Sequence, residues 1–280
     1  MGFLYVLLIA VFTTVQSIFK KAYARRGGVF IFGSIQAVAA CLFFLVREGF
    51  TVSFSLDVLP YAIGFGLSYC AVIIFSHLAI RIGSMSLTSL AISYSLLIPT
   101  AYGLLFDSDT VSWLFYVGLA LLAVSLFLIN FPSGGIKITP LFALFALIAL
   151  VGNGLCSVFQ TVQTTLFAGR YDGGFMIVAL LIAMVAFFTL SLVAERPVII
   201  PSLGRGAHLM ILCGIANAAV NLFVMLAAQI MDKSLMFPMI SAGGIILTWL
   251  VAILIYKERM NMKQNIGMLL GIASVIFFNI

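Results

Sequence analysis

Residues Ser234 to Ile280 run as an apolar stretch long enough to cross a bilayer, a short charged turn and a second apolar stretch. The charges Lys257, Glu258, Arg259 and Lys263 are confined to the turn. There they stay in water, whereas each would cost about 3 kcal/mol at the centre of a hydrocarbon layer. A chain built of such hairpins has one way to satisfy its backbone in lipid, a bundle of helices. Shifted back by 149 positions, the stretch lies over Met85 to Phe131 without a gap. Leu105, Gly118, Leu121, Ser125 and Asn130 then meet Leu254, Gly267, Leu270, Ser274 and Asn279, and Asp109 meets Glu258. The aligned acid, Gly, Ser and Asn mark an internal repeat, since apolar matches alone come easily in such a chain.

With 64% hydrophobic and 8% charged residues and a mean hydropathy of +1.27, a soluble domain is excluded. At roughly 20 residues per span, ten spans take up most of the chain and leave no room for a separate catalytic or receptor domain. The first span begins at Phe3 with no basic leader and no small-residue cleavage site, so it reads as a retained helix. Val6 stands where N-myristoylation of Gly2 wants Ser or Thr. Cys41, Cys70, Cys156 and Cys213 fall singly in different apolar spans, as buried thiols, and suggest neither disulfides nor a metal cluster.

Charges and turn residues predict spans over about 3–22, 28–46, 58–80, 84–106 and 111–130, a break at Pro132, Gly134, Gly135 and Lys137, then 139–168, 174–193, 207–230, 234–256 and 264–280. The expected fold is all-α and integral to the membrane: ten transmembrane helices as two inverted five-helix repeats, 1–132 and 133–280. Five is odd, so the second set enters from the opposite side. The connections after spans 1, 3, 5, 7 and 9 hold 11 of the 14 basic residues; the other side has only Arg47, Arg170 and Lys233. The positive-inside rule puts both termini outside the cytoplasm of a multi-pass plasma (inner) membrane protein. The net charge of +6 suits anchoring to an anionic leaflet or a basic funnel for anionic solutes.

All eight acids fall in predicted connections, Asp172 among them, which argues against a proton-for-cation pump with a carboxylate at mid-depth. Thr13, Gln16, Ser17 and Lys20 share one face of span 1, and Asn153, Ser157, Gln160 and Thr164 repeat the pattern in span 6. Span 3 adds Ser68 and Tyr69, span 4 Ser93, Tyr94 and Ser95, span 8 Asn217 and Asn221, and span 9 Ser241, Gly243 and Gly244. Such groups bond one another or line a wet cavity. The candidate substrate-binding residues are Gln16, Ser68, Tyr69, Ser93, Tyr94, Asn153, Gln160, Asn217, Asn221 and Ser241. The candidate gating or coupling residues are Lys20, His77 and Pro238. For each, interhelical hydrogen bonding or packing is the alternative. His77 also suits an interfacial histidine, and Pro99 and Pro238 suit static bends. Gly267 and Gly271 form a GxxxG pair, for packing within the chain or for a homodimer through spans 5 and 10.

A Pro-bearing helix, a short acidic turn and a closing helix of the form IGMLLGIASVIFF, given twice in ten helices, resembles the drug/metabolite transporter superfamily, specifically its EamA-like ten-helix members. Ile255 to Phe278 is the sharpest part, with Lys257, Glu258 and Gly267 at the expected places. The first copy departs from the pattern: Asp107 and Asp109 replace a clear Glu, and Trp113 stands in a usually polar turn. The resemblance implies a transporter with a central cavity between its repeats and leaves the solute open. The residues favour a small polar solute, neutral or zwitterionic, moved by alternating access as one repeat rocks against the other. Export is implied by the resemblance alone. A flippase for a lipid-linked sugar and a facilitator for quaternary amines or drugs are the alternatives. The reading expects a solute and the lipid bilayer as partners, no nucleic acid, no cofactor, no metal and no catalytic group. A channel lacks its continuous polar stripe, and an enzyme its cluster of acids, His or nucleophile at one depth.

Overall fold

A computed structural model describes residues 1–23, 27–83, 85–107, 111–130, 139–254 and 262–278. Every regular element among them is helical: α1 (Gly2–Tyr23), α2 (Val29–Arg47), α3 (Leu59–Ile82), α4 (Met85–Tyr94), α5 (Leu97–Phe106), α6 (Trp113–Asn130), α7 (Pro140–Leu166), α8 (Asp172–Ala194), α9 (Ile199–Ala228), α10 (Lys233–Leu254) and α11 (Met262–Phe277). Short 3-10 turns precede α3 and α9. Helices α1, α2, α3, α7, α8 and α9 are long and apolar enough to cross a membrane; α6, α10, α11 and the stretch Leu90–Phe106 are shorter apolar helices. The chain is a helical membrane protein. The turn residues Asp109, Pro132, Gly134, Gly135, Lys137, Lys257, Glu258 and Arg259, and Asn279, lie outside the described residues.

Three predicted boundaries shift. The fourth span is two helices, α4 and α5, parted at Ser95 and Leu96. Pro99 has no N–H to give the Ser95 carbonyl four residues back, which accepts instead from Ile98 at 3.1 Å. Helix α9 begins at Ile199 rather than 207, so Arg205 is an exposed helical residue, not a turn residue. Helix α8 begins at Asp172, which is buried as its first residue and is therefore not a loop acid.

Lipid replaces water as the surrounding solvent, so the exposed faces are apolar: Leu4, Leu7 and Val11 on α1, and Leu144, Leu147 and Val151 on α7. Helix ends need polar partners, and α2 takes them from another part of the chain. No side chain of its own caps it; the Glu195 carboxylate after α8 accepts from Val29, Phe30 and Ile31 N–H at 2.7, 3.0 and 3.0 Å. Ser202 of α9 accepts from Gly28 N–H at 3.0 Å, and the Tyr23 hydroxyl donates to the Gly28 carbonyl at 3.0 Å. The first-turn donors of α2 and its positive dipole end are thereby answered by an anion.

The helices pack across the chain rather than along it. α1 lies on α9 and α10; α7 lies on α3, α4 and α5; α2 lies on α8 and α9; α8 lies on α2 and α3; α6 pairs with α11 and α5 with α10. Exchanging α1 with α7, α2 with α8, α3 with α9, α4 and α5 with α10, and α6 with α11 returns the same set of pairs. Small residues allow the close approaches. A side-chain carbon on Gly267 would come within 3.0 Å of the Ser125 carbonyl, and one on Gly271 within 2.9 Å of Ser125 Oγ, so the GxxxG pair is used against α6 of the same chain.

Glu195→Ala is expected to lower the stability of the purified protein by about 2 kcal/mol, the loss of charge-assisted bonds to three backbone donors. Arg47→Ala, which breaks an exposed pair with Glu48, should stay within about 0.5 kcal/mol. Thermal unfolding in detergent checks both.

Candidate functional site

Polar side chains at mid-depth gather into three groups. On α7 and α9, Gln160 Nε2 donates to the Asn221 carbonyl at 2.9 Å, and Asn221 Nδ2 donates to the Asn217 carbonyl at 2.9 Å and to Asn217 Oδ1 at 3.3 Å. At the break between α4 and α5, Asn153 Nδ2 donates to Ser95 Oγ at 2.6 Å. On α2, α3 and α9, Gln36 Nε2 donates to the Tyr69 hydroxyl at 2.9 Å, and the Cys213 thiol faces Gln36 Oε1 at 3.6 Å and the Gln16 carbonyl at 3.8 Å. Asn153 and Gln160 thus hold neighbouring helices, while Asn221 and Asn217 bond each other within α9. The Gln16 side chain differs: it is buried, and its Nε2 meets no acceptor.

Exposure separates the groups further. At 100° per residue, Thr13, Gln16 and Lys20 lie on the face of α1 opposite Leu4, Leu7 and Val11, the residues turned to lipid. Asn153, Ser157, Gln160 and Thr164 lie on the face of α7 opposite Leu144, Leu147 and Val151. Side chains on such faces belong in the core, yet Thr13, Asn153 and Ser157 are half-buried and Lys20 is exposed. Their accessibility on faces turned toward other helices sets them apart. Ser241 of α10 is half-buried as well, and a side-chain carbon on Gly244 would meet nothing within 4 Å.

The remaining candidates are placed apart. Ser68 is buried on α3, and the Tyr69 ring packs on Phe65 and Phe187. Ser93 is half-buried on α4, while the Tyr94 hydroxyl donates to the Ala123 carbonyl of α6 at 2.5 Å and is spent on packing. His77 meets Phe30 edge-on, ring centroids 5.8 Å apart. Pro238 is buried in an uninterrupted α10. Of the two prolines singled out for bends, Pro99 is the one beside a break.

Several polar residues of this framework were outside the candidate set. Gln36 was a lone glutamine in an apolar span, and its depth was the available signal. At the other end of the bundle, buried Lys233 of α10 donates to Asp107 after α5 and to Thr165 of α7 at 3.3 Å, beneath the Tyr102 ring. Next to this, Thr164 donates to Asp172 at 2.8 Å and Gln229 donates to it at 3.3 Å. A buried carboxylate at a helix start thus gets two donors and a favourable dipole. These contacts tie α5, α7, α8, α9 and α10 together at the end where α1 begins. Among the described residues no group of His, Cys, Asp and Glu is placed to hold a metal ion, and the four cysteines are buried and free.

Lys233→Met is expected to cost about 2 to 3 kcal/mol, less than for a fully dry pair because Asp107 is partly exposed. Adding Asp107→Asn should restore part of that loss, as a double-mutant cycle by thermal unfolding would measure.

Compared with known proteins, the sequence matches no family model and no curated protein. Solved structures do match. A crystal structure, described only as that of a protein, aligns over 100% of this chain and 98% of its own with a TM-score of 0.75 at 13% sequence identity. At that identity the likeness extends to the fold alone, and it covers the whole helical path of the chain.

Proposed function

We propose that this protein is a secondary transporter of the EamA-like drug/metabolite type, with ten spans in two oppositely inserted five-span units, in the plasma (inner) membrane with both termini outside the cytoplasm. It moves a small polar metabolite, such as an amino acid or a related neutral or zwitterionic solute, by alternating access, with export as the preferred direction. The observation that carries this reading is that Thr13 and Lys20 of α1 and Asn153 and Ser157 of α7 stay accessible on faces turned away from lipid. Polar groups there are costly unless water or a guest reaches them. The exchange of helix pairings between the two halves supports opposite insertion.

The packing also favours moving bodies other than the two five-span units. Each half packs mainly on the other, so rocking one five-span unit against its mate would break most of the core. Groups such as α1 with α9 and α10, and α7 with α3 and α4, shift without that cost. The loosely packed Gly243 and Gly244, and the break before Pro99, are where they bend.

A second reading, a flippase for a lipid-linked sugar, has one observation in its favour. An apolar groove of about 600 Å³ between α2 and α9, lined by Ile35, Leu42, Val46, Ile211 and Ile215, opens on the lipid side.

Thermal-shift screening of the purified protein against a metabolite library supplies a ligand, and its labelled form is then followed into reconstituted vesicles. Asn217→Ala combined with Asn221→Ala is expected to lower uptake several-fold more than it lowers the yield of folded protein. A fall in activity matched by loss of folded protein would leave these amides a packing role only.

A further inference from the structure

We propose that Lys20 and Gln16 form the recognition point for a carboxylate, so that the guest of the proposed cavity is a small solute carrying one carboxylate group. This rests on the transporter reading and narrows it.

Lys20 lies one helical turn beyond Gln16, and both share the α1 face with Ile9 and Thr13. That face is opposite Leu4, Leu7 and Val11, so the lysine stem does not leave the bundle toward lipid. Its side chain, in the last turn of α1, is nevertheless exposed. Among the described residues no carboxylate pairs with it; the titratable neighbour acting on it is the Cys213 thiol of α9. Lys233, by contrast, is closed off by Asp107 and Thr165. A lysine of this kind inside a membrane bundle is expensive to keep without a counter-charge.

The second observation is independent. Gln16 is 8% exposed, and its Nε2 has no acceptor. An unmade bond of a buried amide costs about 1–3 kcal/mol, and the Gln16 backbone carbonyl is already approached by Cys213. Two donors one turn apart, one charged and one closed off from solvent in this conformation, match the two acceptor oxygens of a carboxylate that parts the neighbours of Gln16. The charge count narrows the class. One ammonium balances a monoanion, whereas a phosphate dianion would keep an unpaired charge in the cavity. A neutral guest would leave Lys20 as it is.

The test uses the full-length protein in detergent and thermal-shift titration with lactate and alanine, their amides lactamide and alaninamide, inorganic phosphate, and short-chain phosphatidylglycerol. The expected result is stabilisation by a carboxylate and none by its amide at equal concentration. Lys20→Met should weaken that response about tenfold or more, the worth of one charge-assisted bond. Lys20→Arg should keep most of it, and both variants should unfold near the wild-type temperature. Equal responses to acid and amide, or an unchanged response in Lys20→Met, overturn the assignment. A response confined to phosphate or to the lipid overturns it too, the latter in favour of the flippase. Stabilisation by uncharged compounds alone removes the carboxylate and leaves the transporter standing; silence in every arm removes both.

Discussion

Inside a bilayer a polar group that finds no partner has no water to fall back on, and the placement of polar residues here follows from that. The start of α2 needs acceptors for its first-turn donors and has none in its own sequence, so Glu195 and Ser202 supply them from beyond α8 and within α9. Asp172, buried where α8 begins, is held by Thr164 and Gln229. Asn153 reaches Ser95 where the fourth span is interrupted. Because such partners come from distant positions, they fix which helices are neighbours more firmly than apolar contact, which lipid tails provide equally well.

Those neighbours cross the chain. With α1 on α9, α7 on α3 and α2 on α8, neither half of the chain keeps most of its packing to itself. The bundle is one domain in the physical sense, although its sequence reads as two parts. The accessible polar residues Thr13, Lys20, Asn153 and Ser157 are likewise contributed by helices from both parts.

Much of this was legible in the sequence, because charges and turn residues leave apolar runs of helix length, and the described part of each run is helical, the fourth as two helices. A charge near a helix end does not by itself mark a turn: Arg205 lies on the exposed side of α9, and Asp172 is folded into α8, since helix ends at a membrane surface accept charge without stopping. Side-chain pairing was less legible than helix position. Depth and face brought Gln160, Asn217 and Asn221 together, but whether an amide meets a helix or a cavity depends on spacings of an ångström or two. Gln36 and Lys233 were missed for that reason: their partners Tyr69 and Asp107 lie 33 and 126 residues away. The orphaned amide of Gln16 could emerge only once its neighbours were in place.

The interruption before Pro99 has no counterpart in α10, which runs through Pro238 unbroken. If the chain works as the transporter proposed above, two related arms of unequal stiffness would not weigh its two resting poses equally. With identical solutions on either side, its molecules would then still crowd into one pose, and a solute arriving at the disfavoured mouth would wait for a minority of them.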